Sequence, residues 1–229
     1  MSSDVTAIDW DRIDTLLLDM DGTVLDLAFD NYFWLELLPQ HVARARGISL
    51  IAAKEQMQRH TLRVHGSLQW YCIEHWSEQL RLDVAAIKHA TRNRIAYLPG
   101  ALEFLRHARK PSRRLVIVTN AHPQTLAIKL RQTHLDRYVD AVFSSHDFGH
   151  PKETAEFWSG FERVADLERD SAVLVDDSAA VLDAAKNHGL AGVVTITRPD
   201  SSRPQRETHP DGGPAIAALA DIAHLLAGP

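Results

Sequence analysis

The sequence predicts an α/β protein: a doubly wound, Rossmann-like parallel sheet with an inserted α-helical domain. Three observations carry this expectation. Several β-rich apolar runs end in a polar residue, helix-like stretches separate them, and a long segment without strands follows the first run. Continuous apolar runs of this kind suit strands covered on both faces, as in parallel sheets flanked by helices.

The first run, "DTLLLD", ends at Asp19 and leads into "MDGTVLDLAFDNYFW". Residues 27–98 then show no convincing strand, and "NYFWLELLPQHVARARG", "LIAAKEQMQRHTLRVHG" and "LQWYCIEHWSEQL" read as helices. In the last of these, Leu68, Tyr71, Cys72, Trp76 and Leu80 share one helical face. Pro99 and Gly100 punctuate the return to the sheet. The expected division is therefore 1–26 with 99–229 as an α/β core and 27–98 as a helical domain. Downstream, "PGALEFLRHARK" precedes "RLVIVT", which ends at Thr119; "PQTLAIKLRQT" precedes the weaker run "YVDAVFS". "SAVLVD" ends at Asp176, "AAVLDAAKNHG" is helical and "GVVTIT" is a further weak strand. "TRPDSSRPQRETHPDGG" reads as a polar loop, and "PAIAALADIAHLLAG" as a closing helix. Ligands of open α/β sheets bind beyond the carboxyl ends of the strands, so Asp19, Thr119 and Asp176 are expected to meet in one crevice.

Bulk properties narrow the function. With 229 residues and 45% hydrophobic content the chain can bury a substantial core, either as one domain with an insertion or as two small ones. No apolar run approaches the ~18 residues of a membrane span, so no membrane association is expected. The opening MSSDVTAIDW has no basic region followed by an apolar one, which predicts a cytoplasmic location. Cys72 is the single cysteine, so an internal disulfide and a cysteine-based zinc cluster are excluded, and a buried helix thiol is its expected role. A net charge of -5 with scattered basic residues argues against a nucleic acid polymer as partner. Oligomeric state is not legible.

Asp19 and Asp21 carry the chemistry. Asp21-Gly22 is a turn signal, and solvated aspartates are common at turns. An EF-hand fails, because the glycine it requires is Val24 and the flanking segment is a strand. If Asp176 and Asp177 join Asp19, the cluster needs a cation, since two carboxylates ~4 Å apart repel by about 4 kcal/mol at an effective dielectric near 20. Oxygen-only ligands favour a hard ion such as Mg2+. Lys152 in "GHPK" adds a positive charge, and Thr119 and Asn120 add neutral donors. Such a set suits a phosphoryl group held by metal and lysine, with one carboxylate free to attack.

The motifs "DMDGT", "VIVTN", "GHPK" and "LVDDS", in this order, resemble those of the haloacid dehalogenase-like superfamily of phosphohydrolases. The resemblance implies Asp19 as nucleophile and Asp21 as general acid and base. It also implies magnesium held by Asp19, the Asp21 carbonyl and the Asp176-Asp177 pair, with Asp177 the better candidate for direct coordination. Thr119, the Asn120 main chain and Lys152 would grip the phosphoryl oxygens. Asp21 argues against halide release, since only an alkoxide leaving group needs a proton. Residues 27–98 stand where the superfamily carries a helical cap. Together, "LLLDMDGTVLDLAFDNYFW", "LQWYC", "HWSEQL", "TNAHP" and "FGHPKE" resemble the bacterial GMP/IMP-type purine nucleotidases over nearly the full chain. The implied reaction converts a purine mononucleotide, a small phosphate ester, into nucleoside and phosphate. A sugar-phosphate phosphatase, a phosphomutase and a catalytically silent binding module are the alternatives.

Within the helical segment, Tyr32, Phe33, Trp34, Trp70, Tyr71 and Trp76 could stack on a base, although packing between helices is the simpler role for each. Asp30 and Asn31 suit either ribose contact or helix capping. Arg59 and Arg63 read as a solvated helix face, His122, His146 and His150 as loop hydrogen-bonders, and Ser178 as a helix cap.

Overall fold

The computed structural model describes residues 5–207 and 213–226. The chain begins with β1 (Thr15–Leu18) and then leaves the sheet. It passes through α1 (Ala28–Tyr32), a π-helical stretch at Phe33–Leu37, α2 (Leu38–Arg46), α3 (Leu50–Val64), α4 (Leu68–Tyr71), α5 (Ile73–Leu80) and α6 (Val84–Ala90). It returns through α7 (Ala101–Ala108), β2 (Arg114–Thr119), α8 (Pro123–Thr133), β3 (Ala141–Ser144) and α9 (Ala155–Ala165). β4 (Ala172–Asp176), α10 (Ala179–His188), β5 (Gly192–Ile196), β6 (Ala215–Ile216) and α11 (Ala223–Leu226) complete it.

All six strands among the described residues are parallel, in the order β3-β2-β1-β4-β5-β6. The chain winds outward from β1 on one side and resumes at β4 on the other, so the switch point lies at the carboxyl end of β1. Side chains of β1 alternate between two apolar layers, as period-2 geometry requires. Leu16 and Leu18 join Phe104, Leu105, Ile128 and Leu219 on one face, whereas Leu17 joins Phe157, Trp158, Phe161 and Leu182 on the other. The buried strands are thus continuous apolar runs because helices cover both faces, as expected. A third cluster, built on Phe33, Leu38, Val42, Met57, Trp76 and Val84, lies entirely within the inserted helices.

Four local expectations need correction. The stretch 68–80 is two helices, because Cys72 adopts an extended conformation (φ -77°, ψ 111°) and its Sγ accepts the His75 N–H at the start of α5. Cys72 is half-buried rather than a core thiol. The first inserted helix widens into π geometry just before Pro39, whose ring would otherwise press on the carbonyl one turn back. The closing helix begins late: Ala215–Ile216 pairs with the edge of β5, and helix covers only Leu219–Leu226. Pro214 lacks an N–H but its carbonyl accepts from Thr195, a role open to proline beside an edge strand. Residues 227–228 of that segment, and 208–212 of the polar loop, lie outside the described residues. The sequence reading also passed over α9, whose Phe157, Trp158 and Phe161 fill the second face.

The outgoing and returning strands of the insertion are tied together. Leu25 bridges Tyr97, and the Leu98 N–H donates to the Val24 carbonyl at 2.9 Å. Gly100, at φ +79°, precedes α7, and a Cβ there would lie 3.1 Å from Ala220 Cβ.

Candidate active site

Asp19 follows β1 directly, and its N–H continues the ladder by donating to the Val175 carbonyl at 2.9 Å. The next residues close a tight loop in which the Val24 and Leu25 N–H groups both donate to the Met20 carbonyl. Gly22 sits in that loop at φ +96°, a conformation only glycine adopts without strain. A Cβ there would lie 2.8 Å from Asp177 Cγ, so the loop also packs its backbone against the end of β4.

Asp19 and Asp176, two of the three strand-end residues expected to converge, meet at Lys152. Lys152 Nζ, which is buried, donates to Asp19 Oδ1 at 2.5 Å, to Asp176 Oδ2 at 2.7 Å and to the Val118 carbonyl at 2.9 Å. Asp19, Asp176 and Asp177 each offer an oxygen within 4.8 Å of the others. Asp176 Oδ1 accepts the Ser178 N–H at 2.8 Å, which leaves Asp176 with both oxygens engaged. Asp177 is bonded instead by the half-exposed Arg206, at 3.1 Å. Ser178 precedes α10 as expected, but its side chain makes no capping bond.

Burial dominates the electrostatics. It pushes the Asp19 carboxyl up to about 7; Lys152 opposes the rise, while Asp176 and Asp21 reinforce it. Asp177 is pushed up to about 6 by burial and by Asp19, against Arg206. Asp176 is raised as well, by burial, with Lys152 opposing. Burial works against the charge on Lys152, yet Asp176 and Asp19 outweigh it and hold the ammonium above its ordinary value. Three clustered carboxylates are thus under-neutralised by one buried lysine and one peripheral arginine.

Thr119 ends β2, and Asn120 follows it directly. Thr119 is buried and its Oγ1 accepts the Ala121 N–H at 3.0 Å, so its own proton remains to be donated. The Asn120 side chain is committed at both ends: Oδ1 accepts the Lys152 N–H at 2.9 Å and Nδ2 donates to Glu153 at 3.0 Å. Asp21 is not part of that three-carboxylate group, and its Oδ1 lies 2.6 Å from Lys129 Nζ.

Most aromatic candidates pack rather than face the crevice. Phe33 and Trp76 are core residues of the insertion, with Trp34 against both. Tyr32 stacks under Arg94 at 3.9 Å, and Trp70 packs on His65 at 4.1 Å. Tyr71 differs: its hydroxyl donates to Glu153 at 2.7 Å and joins the insertion to the sheet domain. Asp30 neither caps a helix nor stands free, because Lys88 and Lys129 both pair with it. Asn31 donates to the buried Asp200 at 2.7 Å. Arg59 is exposed with only a 3.9 Å pair to Glu55, as a solvated face predicts. His122 accepts the Gln124 N–H and contacts Glu74 of the insertion at 2.5 Å, His146 packs edge-on against it, and His150 is exposed.

Sequence reasoning missed Lys129, Lys88, Glu153 and Arg206. A signal existed for the two lysines. Lys129 shares the buried face of α8 with Thr125 and Ile128, and Lys88 that of α6 with Val84, so each is a charge at an apolar helical position. No local pattern marks Glu153 or Arg206.

Comparison with known proteins identifies the family. The family model for haloacid dehalogenase-like hydrolases matches residues 13–189. The GMP/IMP nucleotidase YrfG of Escherichia coli is 40% identical over 205 residues, which span 89% of this chain and 92% of that protein. Among solved structures, a HAD phosphatase from Thermococcus onnurineus superposes with TM-score 0.78 at 24% identity, covering 94% of this chain and 99% of its own. YfnB from Bacillus subtilis, bound to magnesium, superposes with TM-score 0.68 at 20% identity, covering 95% and 100%. These last two speak to the fold alone. From the matched motifs, the convergent strand ends and the identity to curated relatives, the chain is an enzyme that belongs to the haloacid dehalogenase-like hydrolase family.

Proposed function

We propose that this enzyme is a magnesium-dependent phosphomonoesterase of the cytoplasm that works through an aspartyl-phosphate on Asp19 and acts on purine nucleoside 5'-monophosphates such as GMP and IMP. The observation that carries the chemistry is the meeting of Asp19, Asp176 and Asp177 around Lys152. Substrate class rests on the 40% identity to a GMP/IMP nucleotidase. In this reading 1–26 with 99–229 form the core domain and 27–98 the cap.

The donor set fits a hard divalent cation. Its side-chain oxygens are carboxylate and lie within 4.8 Å of one another, and burial raises the pKa of Asp19 and Asp177, with a neighbouring carboxylate adding to the rise. Asp19 and Asp177 would hold the ion with the Asp21 carbonyl; Asp176, engaged by Lys152 and Ser178, would support from behind. Bound magnesium would neutralise phosphoryl oxygens and so favour attack by an anion.

The chain's own groups supply the rest. Asp19 Oδ1 is tied to Lys152, so Oδ2 is the oxygen that attacks phosphorus. As the P–O bond to the leaving group breaks, Asp21 gives its proton to the departing oxygen, then takes one from the water that hydrolyses the acyl phosphate. Thr119 Oγ1 and the Asn120 main-chain N–H orient the phosphoryl group. Lys152 has three partners for three protons, so it grips a phosphoryl oxygen only by exchanging one of them.

A panel of purine nucleotides and sugar phosphates, compared by kcat/KM with and without chelator and with Asp19→Asn, tests the reading. Chelator-sensitive phosphate release with GMP or IMP preferred, abolished in Asp19→Asn, is expected. Preference for sugar phosphates would overturn the substrate, and an active Asp19→Asn enzyme would overturn the chemistry.

A further inference from the structure

Lys129 belongs to α8 on the sheet side, is 1% exposed, and reaches two carboxylates: Asp21 at 2.6 Å and Asp30 at 2.5 Å. Asp30 lies on α1 of the insertion, and its second oxygen accepts from Lys88 Nζ at 2.8 Å. Lys88, on α6, is buried against the rings of Phe33 at 4.7 Å and Trp34 at 5.2 Å. The four groups make a continuous chain, Lys88–Asp30–Lys129–Asp21, with two members from the insertion and two from the sheet domain.

Removing an ammonium from water is costly even after the protein relaxes. Packing alone does not call for two buried lysines, since one would neutralise Asp30. The second lysine is accounted for by its other partner, Asp21. Two ion pairs also remove the rotamer freedom of a long side chain, which makes Lys129 a fixed post rather than a mobile cation. Asp21 retains 21% side-chain exposure, so its carboxyl can face the crevice while Oδ1 is held from behind.

We propose that Lys129 is a positioning residue that aims Asp21 at the leaving-group oxygen, and that Asp30 and Lys88 hold Lys129 in place from the insertion. This rests on the reading of Asp21 as proton donor. Lys129 keeps its own protons throughout; the proton that moves belongs to the Asp21 carboxyl and ends on the leaving oxygen as its bond to phosphorus breaks and the bond from Asp19 forms. Aim is therefore worth most where the leaving oxygen is most basic.

The test is kcat/KM for substituted phenyl phosphates of similar size whose leaving oxygens grade from good to poor. The parent, Asp21→Asn, Lys129→Met and Lys129→Met/Asp30→Asn are compared, the double variant removing one charge of each sign so that it folds if the single variant does not. Asp21→Asn is expected to steepen the dependence on the leaving group. Both Lys129 variants are expected to steepen it likewise, losing on the order of 10²-fold with the poorest leaving group and under ~10-fold with the best. An equal loss across the series would mean that Lys129 grips the phosphoryl group or merely supports the fold, and would overturn the inference. A steep Asp21→Asn with unchanged slopes in both Lys129 variants would also overturn it while sparing the role of Asp21. A flat Asp21→Asn would remove that role and this inference with it.

Discussion

Gly22 shows how little latitude the nucleophile loop has. Its φ of +96° excludes most side chains, and a Cβ would stand 2.8 Å from Asp177 Cγ and 2.9 Å from Pro199 Cβ. Gly22→Ala is expected to lower stability by about 1–3 kcal/mol through backbone strain. It should also displace Asp177 and so weaken magnesium binding, which calorimetric titration would register; unchanged affinity would contradict the placement of Asp177. Asp21 is the counter-example of a residue whose type is legible and whose surroundings are not. Its position two residues after Asp19 can be read from the motif, but its partner Lys129 lies over a hundred positions away, on a helix where a charge at an apolar position can be seen but its partner cannot.

The inserted helices stand on their own small core, and Trp76 is its largest member, 2% exposed, with its Nε1 donating to the Trp70 carbonyl at 2.7 Å. Trp76→Ala is expected to destabilise by about 3–5 kcal/mol, the usual loss for a buried aromatic. Denaturant unfolding followed by circular dichroism would measure it, and a loss well under 1 kcal/mol would mean that this cluster does not hold the helices together. In the sheet, Leu17 is buried in the cluster that α9 and α10 cover, so Leu17→Ala is expected to cost about 2–5 kcal/mol in the same assay. Helices and strands of this kind were largely readable, because apolar periodicity records which face is buried. The break at Cys72 was not, since a thiol that accepts the His75 N–H looks in sequence like one more apolar position on a helical face. Strand β6 escaped for a different reason: Ala-Ile carries no period of its own, and only the open edge of β5 makes it a strand.

Across the molecule, charge at the crevice links folding to pH and to metal. Asp19 and Asp177 have folded-state pKa values raised from 3.8 to about 7 and about 6, so the folded protein binds more protons than the unfolded chain between these limits. Stability from these groups is present below pH 3.8 and is lost as pH rises through 6 and 7. Metal-free protein is therefore expected to lose thermal stability at this site between pH 5 and pH 8. Added magnesium should raise Tm more at pH 8, where the carboxylates are ionised, than at pH 5, where protons compete. Differential scanning calorimetry at both values checks this, and an equal or larger shift at pH 5 would argue against a carboxylate site.

Read alone, the chain specifies five of the six strands, the polar residue that ends each of the three strong ones, and the helical insertion, because burial on one or both faces leaves a periodic trace in local sequence. It also specifies the family, because the four motifs are short and contiguous. Folding decides what distance along the chain conceals. Asp30 meets Lys129 across 99 positions and Asn31 meets Asp200 across 169, and Glu153 ties Tyr71 to Asn120 between the two parts of the fold. Such pairings depend on where whole elements pack, and a lysine on an apolar helix face carries no mark of which carboxylate it will find.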